Sequence, residues 1–291
     1  MIAHALVNNN FDPNFLIAGI PKKLKKSWNI SNDEVFVIEA DEYDTCYFDK
    51  RPKFFHYRPN ILLINNIEFD HADIYENIEM IEKNFFELIK TMQTNSKVLI
   101  NEKKVSKAFK NKLKREKLKT ALRFLSLNAS NIHEENKLLA AYAIEDFISK
   151  DKVLSVLDDY TGVKRRFETI FDDKNFKLID DFAHHPTAIE ETLKMTGEQT
   201  DNLTLIVELG SNSMKRGVHD KSLVNIFKNQ KTFTINASAE QGKIFSEHAK
   251  ELSKDDIAKI CLKDKEKKTI LMCGNRNFQG FQKLILNELI K

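Results

Sequence analysis

The chain has 291 residues, 42% of them hydrophobic and 31% charged, a globular composition with length for one large domain or two ordinary ones. Lys and Arg number 46 against 43 Asp and Glu, a net charge of +3, and this balance argues against a dedicated nucleic-acid or acidic-membrane binder. There are only 8 glycines, and neither G-x-x-x-x-G-K-[ST] nor G-x-G-x-x-G occurs, which excludes a self-sufficient P-loop ATPase within these residues.

The opening string MIAHALVNNN lacks the basic region and cleavage site of a signal peptide. No apolar stretch approaches the ~20 residues that span a bilayer, so a cytoplasmic protein without a membrane partner is expected. Val35–Glu39 (VFVIE) and Ile61–Asn65 (ILLIN) read as buried strands, and from Ile78 the residues Ile81, Phe85, Leu88 and Ile89 recur at helical spacing before a strand at Lys97–Ile100. Nine Lys/Arg residues crowd Lys103–Lys119 around one aromatic, Phe109. Without a stacking platform that run reads as a solvated helix face. Strands follow at 177–181, 203–208, 231–236 and 269–273, and a last helix covers 278–290 with Phe281, Leu284, Ile285 and Leu289 inward. Alternation of this kind predicts an α/β protein with parallel sheets and crossover helices, in two units that join near Tyr160–Lys164. Cys46, Cys261 and Cys273 are too scattered for a disulfide framework or a metal knuckle.

Five strings carry chemistry. Glu39-Ala-Asp-Glu-Tyr-Asp44 ends the VFVIE strand, and ligand sites in open α/β sheets lie beyond the carboxyl ends of strands. Its carboxylates suit a hard cation such as Mg2+, although a plain polar loop reads the same way. Asn65-Asn-Ile-Glu-Phe-Asp-His71-Ala-Asp73 follows the next strand, and its imidazole would suit Zn or Mn better, leaving the metal open. Asp180-Asp-Phe-Ala-His-His-Pro-Thr187 ends another strand; Thr187 with Glu190 makes a capping-box pattern, and the helix start would favour an anion. Gly162-Val-Lys-Arg-Arg-Phe-Glu168 places three cations at the unit junction, suited to a phosphoryl group or simply to a solvated linker. Ser211-Asn-Ser-Met-Lys-Arg-Gly-Val-His219 offers Lys215 and Arg216 to substrate carboxylates.

Together these strings resemble the Mur ligases, in particular the branch that recycles peptidoglycan, and the resemblance runs in order through most of the chain. It implies a central, ATP-binding domain lacking the P-loop over 1–161, with a parallel or mixed sheet and helices, then a Rossmann-like carboxyl-terminal domain over 162–291. The implied reaction joins UDP-N-acetylmuramate to the murein tripeptide L-Ala-γ-D-Glu-meso-diaminopimelate with ATP and Mg2+. Carried over by position, Glu39 and His71 match the family's Mg2+ ligands, Arg166 an ATP-contacting arginine and Asp181 a nucleotide-binding aspartate; these four are the catalytic candidates. Asn136 and His184 join Arg166 and Asp181 as cofactor contacts. His185, Ser211, Asn212, Lys215 and Arg216 are the substrate-binding candidates.

The departures matter equally. The family's GTHGKTTT loop is absent from these residues, and the span from Ile100 to Asn131 is short. The family's HNxxN reads Ile132-His-Glu-Glu-Asn136 here. Its E-P-R-S-N reads Glu208-Leu-Gly-Ser-Asn212, losing an arginine, and its SNGGFGGIH-like loop reads Gly274-Asn-Arg-Asn-Phe-Gln-Gly-Phe-Gln282, losing glycines. The expectation is therefore a ligase fragment inactive alone, with a catalytically silent module or one half of a split enzyme, served by a separate P-loop-bearing polypeptide, as the alternative. A metal-dependent hydrolase using Glu39, Asp70, His71, Asp73, His184 and His185 is a more distant reading.

Overall fold

In the computed structural model, which describes residues 1–198, 200–264 and 266–291, two sheet-and-helix units divide the chain, Met1–Gly162 and Val163–Lys291. The first contains α1 (Ile2–Val7), β1 (Asn14–Leu16), β2 (Trp28–Asn29), β3 (Phe36–Ile38), β4 (Asp44–Cys46), β5 (Asp49–Pro52), β6 (Ile61–Ile64), α2 (Ile78–Thr91), β7 (Lys97–Asn101), α3 (Lys107–Arg115), β8 (Ala121–Leu125), α4 (Ile132–Ala143) and α5 (Lys150–Asp158). Its sheets run β2-β1-β3, β4-β5 and β6-β7-β8.

The β6-β7-β8 sheet is parallel, and helices cover both its faces, which is why ILLIN and KVLIN are continuous apolar runs. Side chains alternate along β7: Val98 and Ile100 enter the core beneath α2 and α3, whereas Leu99 enters the one beneath α1, α4 and α5. The lysine-rich segment behaves as its spacing suggests. Ser106 Oγ accepts the Phe109 N–H at the start of α3. Phe109 and Leu113, one turn apart, are each 1% exposed, and the flanking lysines 107, 112 and 114 face solvent. The VFVIE run differs from expectation. Only Phe36–Ile38 forms a strand, paired with β1, and Phe36 is 59% exposed because one face of that small sheet carries no helix layer of buried contacts.

The second unit contains β9 (Glu168–Asp172), β10 (Phe176–Asp181), α6 (Pro186–Thr196), β11 (Leu203–Glu208), α7 (Asn212–Lys215), α8 (Asp220–Phe227), β12 (Lys231–Ile235), α9 (Ala239–Phe245), β13 (Ala249–Glu251), α10 (Lys254–Ile260), β14 (Lys268–Cys273) and α11 (Phe281–Leu289). The sheet order is β13-β12-β11-β14-β10-β9, parallel except for the antiparallel β9 at its edge. Helices α6, α8 and α9 pack on one face, and α10 and α11 on the other. Adjacent strands β11 and β14 therefore send their following helices to opposite faces, as do β10 and β14. Such a reversal opens a crevice at the carboxyl ends of the strands.

Two local expectations are corrected. The cap of α6 is His185, with Pro186 as the first helical residue; the proline fixes the helix start ahead of Thr187, so Thr187 and Glu190 form no capping box. In α11, which begins at Phe281 after a 3-10 turn over Phe278–Gly280, Ile285 is fully buried but Leu284 is 40% exposed. The late start rotates Leu284 off the buried stripe.

Candidate functional site

In the first unit the candidates gather beyond the carboxyl ends of β3, β6 and β7. Glu39 is exposed, and its Oε2 accepts the Ala18 N–H at 2.9 Å. His71, at φ +54° in the left-handed region, has its Nε2 3.0 Å from Oε1 of Glu42. The carboxylate that meets His71 is therefore Glu42, three residues past Glu39. Burial opposes charge on His71, but the Glu42 hydrogen bond, helped by Asp70 and Asp73, carries its pKa above the ordinary imidazole value. Tyr43 donates its hydroxyl to Asp73 and Tyr75 donates to the Glu42 carbonyl, so the two acidic loops are laced together even though β3 and β6 belong to different sheets. Asp41 pairs with Lys53 at 2.8 Å.

The oxygen-rich chemistry of this cluster suits a hard cation. Its arrangement does not fit a ready-made magnesium site: no group of three His, Cys, Asp or Glu side chains is assembled to hold a metal among the described residues, and the His71 nitrogen is engaged by Glu42.

Asn136 lies in the first turns of α4, whose cap Asn131 accepts the Glu134 N–H. Its Oδ1 accepts from Asn65 Nδ2 at 3.2 Å. Asn101, fully buried at the end of β7, donates to Glu135 Oε1 at 2.8 Å and to Asn65 Oδ1 at 3.4 Å. This Asn136–Asn65–Asn101–Glu135 chain fixes the strand ends to α4. Of these four, Asn136 is legible in the sequence as a cofactor-contact candidate and Asn65 only as the head of the Asn65–Asp73 string.

In the second unit all the candidates sit at one edge of the sheet. Asp181, at the end of β10 and 7% exposed, accepts backbone N–H groups from Ala183 at 2.7 Å and Phe167 at 2.5 Å. Burial raises its pKa above the ordinary carboxylate range, opposed by those two amides and by Arg166. The clamp on Phe167 holds the Gly162–Glu168 loop, in which Arg165 and Phe167 both have positive φ, +58° and +47°. Non-glycine residues adopt that region at a cost, met here by the Asp181 bond, by Glu168 Oε2 accepting the Arg165 N–H at 2.8 Å, and by Phe182 N–H donating to the Arg165 carbonyl. Arg166 is thereby presented to solvent over the Phe182 ring, 5.0 Å from its centroid.

Arg165 turns into the crevice between β10 and β14. Its Nε lies 3.2 Å from Asp180 Oδ2 and its Nη2 donates to the Gly274 carbonyl at 2.9 Å. Asp180 also accepts from Gln282 at 2.7 Å; burial nonetheless leaves its pKa raised. His184 Nδ1 is bonded to the Phe182 carbonyl at 2.9 Å. The His185 ring meets His219 edge-on at 4.5 Å, joining the loop after β10 to the one after β11. Ser211 Oγ caps α7 by accepting the Met214 N–H at 3.2 Å, and Asn212, Lys215 and Arg216 are exposed beside it. The expected hydrolase set is split between the two units: Glu39, Asp70, His71 and Asp73 lie in the first, His184 and His185 in the second.

Residues 15–157 match the Mur ligase middle domain. The UDP-N-acetylmuramate–L-alanyl-γ-D-glutamyl-meso-2,6-diaminoheptandioate ligase of Haemophilus influenzae is 30% identical over 252 residues, 75% of this chain and 55% of that protein. The Escherichia coli ligase of the same name is 31% identical over 244 residues, 72% of this chain and 52% of its own. The chain thus spans about half the length of these curated relatives. These matches place the chain in the Mur ligase family. Within that family it is similar to a murein peptide ligase from Psychrobacter arcticus, whose crystal structure superposes with a TM-score of 0.69 at 25% identity, covering 99% of this chain and 74% of that one. No helix among the described residues is long and apolar enough to cross a membrane.

Proposed function

We propose that these residues form the central and carboxyl-terminal domains of an ATP-dependent amide ligase of peptidoglycan recycling, one that joins UDP-N-acetylmuramate to L-Ala-γ-D-Glu-meso-diaminopimelate. A lactyl carboxylate oxygen attacks the γ-phosphorus of ATP and ADP leaves. The tripeptide amine then attacks the acyl carbon, the C–O bond to phosphate breaks, and the amine loses a proton. Chemistry of this type is carried by positioning and by cations around the phosphoryl group.

The observation that carries this reading is the gathering of Arg166, Asp181, His184, His185 and Ser211–Arg216 at one carboxyl edge of a parallel sheet. In it, Asp181 holds the loop that presents Arg166 to nucleotide, and His184 stands beside them. His185, Ser211, Asn212, Lys215 and Arg216 face the peptide. Asn136, in the first unit, is the nucleotide-contact candidate there. Magnesium would arrive with ATP, whose phosphates would supply oxygen ligands beyond those of Glu39 and His71, and it would neutralise phosphate charge there.

The 291 residues hold no G-x-x-x-x-G-K-[ST] string, so the reading requires that phosphate loop from residues outside them, on the same or a separate polypeptide. Calorimetric titration of the full chain with the tripeptide and with ADP tests the proposal. Saturable binding of both is expected; absence of heat and of any melting shift with either contradicts it.

A further inference from the structure

The geometry points to Arg276 as the anchor of a carboxylate subsite in the crevice between β11 and β14. The inference rests on the proposed peptide substrate for the identity of its ligand.

Three observations converge on it. First, the loops after β11 and β14 border the crevice that the helix reversal opens. Second, the backbones there are in close approach. A Cβ on Gly274 would lie 2.7 Å from Glu208 Cβ, and one on Gly210 would lie 2.8 Å from Asn275 Oδ1 and 3.0 Å from both Cγ and Cδ of Arg276. The space a side chain at 210 would enter is therefore filled by the Arg276 stem.

Third, the guanidinium is held but not consumed. Arg276 Nε donates to the Gly210 carbonyl at 2.8 Å, and its backbone N–H donates to Glu208 Oε2 at 3.1 Å. These bonds fix the plane of the fork. Among the described residues its two terminal nitrogens have no hydrogen bond or ion pair, and the residue is exposed. A fixed planar fork with both outer nitrogens available matches a carboxylate bidentately. One guanidinium balances the single charge of a carboxylate but only half that of a phosphate dianion, which argues for a peptide carboxyl group over phosphate.

The test is nitrogen-detected NMR of the full chain labelled at arginine side chains, titrated with the tripeptide, with glutarate and with inorganic phosphate. Saturable movement of the Arg276 Nε signal with tripeptide and glutarate, and little with phosphate, is expected. R276G should weaken tripeptide binding about ten- to a hundredfold; R276K should recover part of it, and G210R/R276G, which returns the guanidinium from the other strand end, should recover most. Tripeptide binding with equal affinity to R276G overturns the subsite and leaves the proposed function standing. Movement with glutarate but not with the tripeptide keeps the subsite and removes its peptide ligand. A still Arg276 signal with both carboxylates, or movement with phosphate alone, overturns the inference.

Discussion

Replacing Asp181 with alanine should loosen the loop that carries Arg166 before it disturbs the rest of the second unit. The substitution leaves the N–H groups of Phe167 and Ala183 without their acceptor, each at about 1–3 kcal/mol for a buried donor. Removing a carboxylate whose charge burial disfavours returns part of that, and the net loss should be about 2–4 kcal/mol. Trp28 lies in the first unit, so fluorescence reports the wrong region. Hydrogen exchange followed by mass spectrometry over residues 163–184, with urea unfolding by circular dichroism, is the suitable assay. Phe167 and its neighbours should lose protection first, because positive φ at Arg165 and Phe167 favours escape once the clamp is gone. The pH dependence has a defined sign. A carboxyl group whose pKa is raised in the fold makes the folded state bind protons more readily than the unfolded chain. Its contribution is therefore most favourable at low pH, and is lost as pH rises from the ordinary 3.8 through the raised value. D181N should flatten that slope. A loss under about 0.5 kcal/mol with unchanged exchange at Phe167 would refute the reasoning.

Glu42→Gln should lower the His71 pKa toward its unperturbed value, read by NMR titration of the imidazole. The pair's stabilisation is present below about 6.5 and lost as pH rises through the folded value, and because both side chains are partly exposed it should amount to less than about 1 kcal/mol; an unmoved His71 titration would count against the contact. Ile285→Ala should cost about 2–5 kcal/mol in urea unfolding, while Leu284→Ala, 40% exposed, should stay within about 0.5 kcal/mol; equal costs would contradict the start assigned to α11.

What the sequence made legible follows from physical scale. The strands at 203–208 and 231–235, buried on both faces, announce themselves as apolar runs, as does the β6-β7 pair. β3 also reads as an apolar run, but Phe36 is exposed and Val37 and Ile38 are only half-buried, because a local window cannot tell which face is covered. Likewise Asp181, Arg166 and the paired histidines stand in strings that mark a strand end. Partner choice is not local: Glu39 and Glu42 have the same chemistry three residues apart, and the turn at His71, with its positive φ, decides that Glu42 receives the imidazole. Arg276 is the sharper case, since its change reads as decay until Gly210, 66 residues earlier, is seen beneath its side chain.

The central claim is a ligase chemistry whose phosphate loop comes from outside these residues. Its direct measurement is mass-spectrometric detection of the amide product from ATP, UDP-N-acetylmuramate and the tripeptide, with the 291-residue chain alone and with an added polypeptide bearing a G-x-x-x-x-G-K-[ST] loop from a related ligase. No product is expected from the chain alone, and ATP-dependent product on addition of the loop-bearing polypeptide. Product from the chain alone would contradict the need for an external loop, and no product in either arm, with both components folded and associated, would contradict the ligase itself.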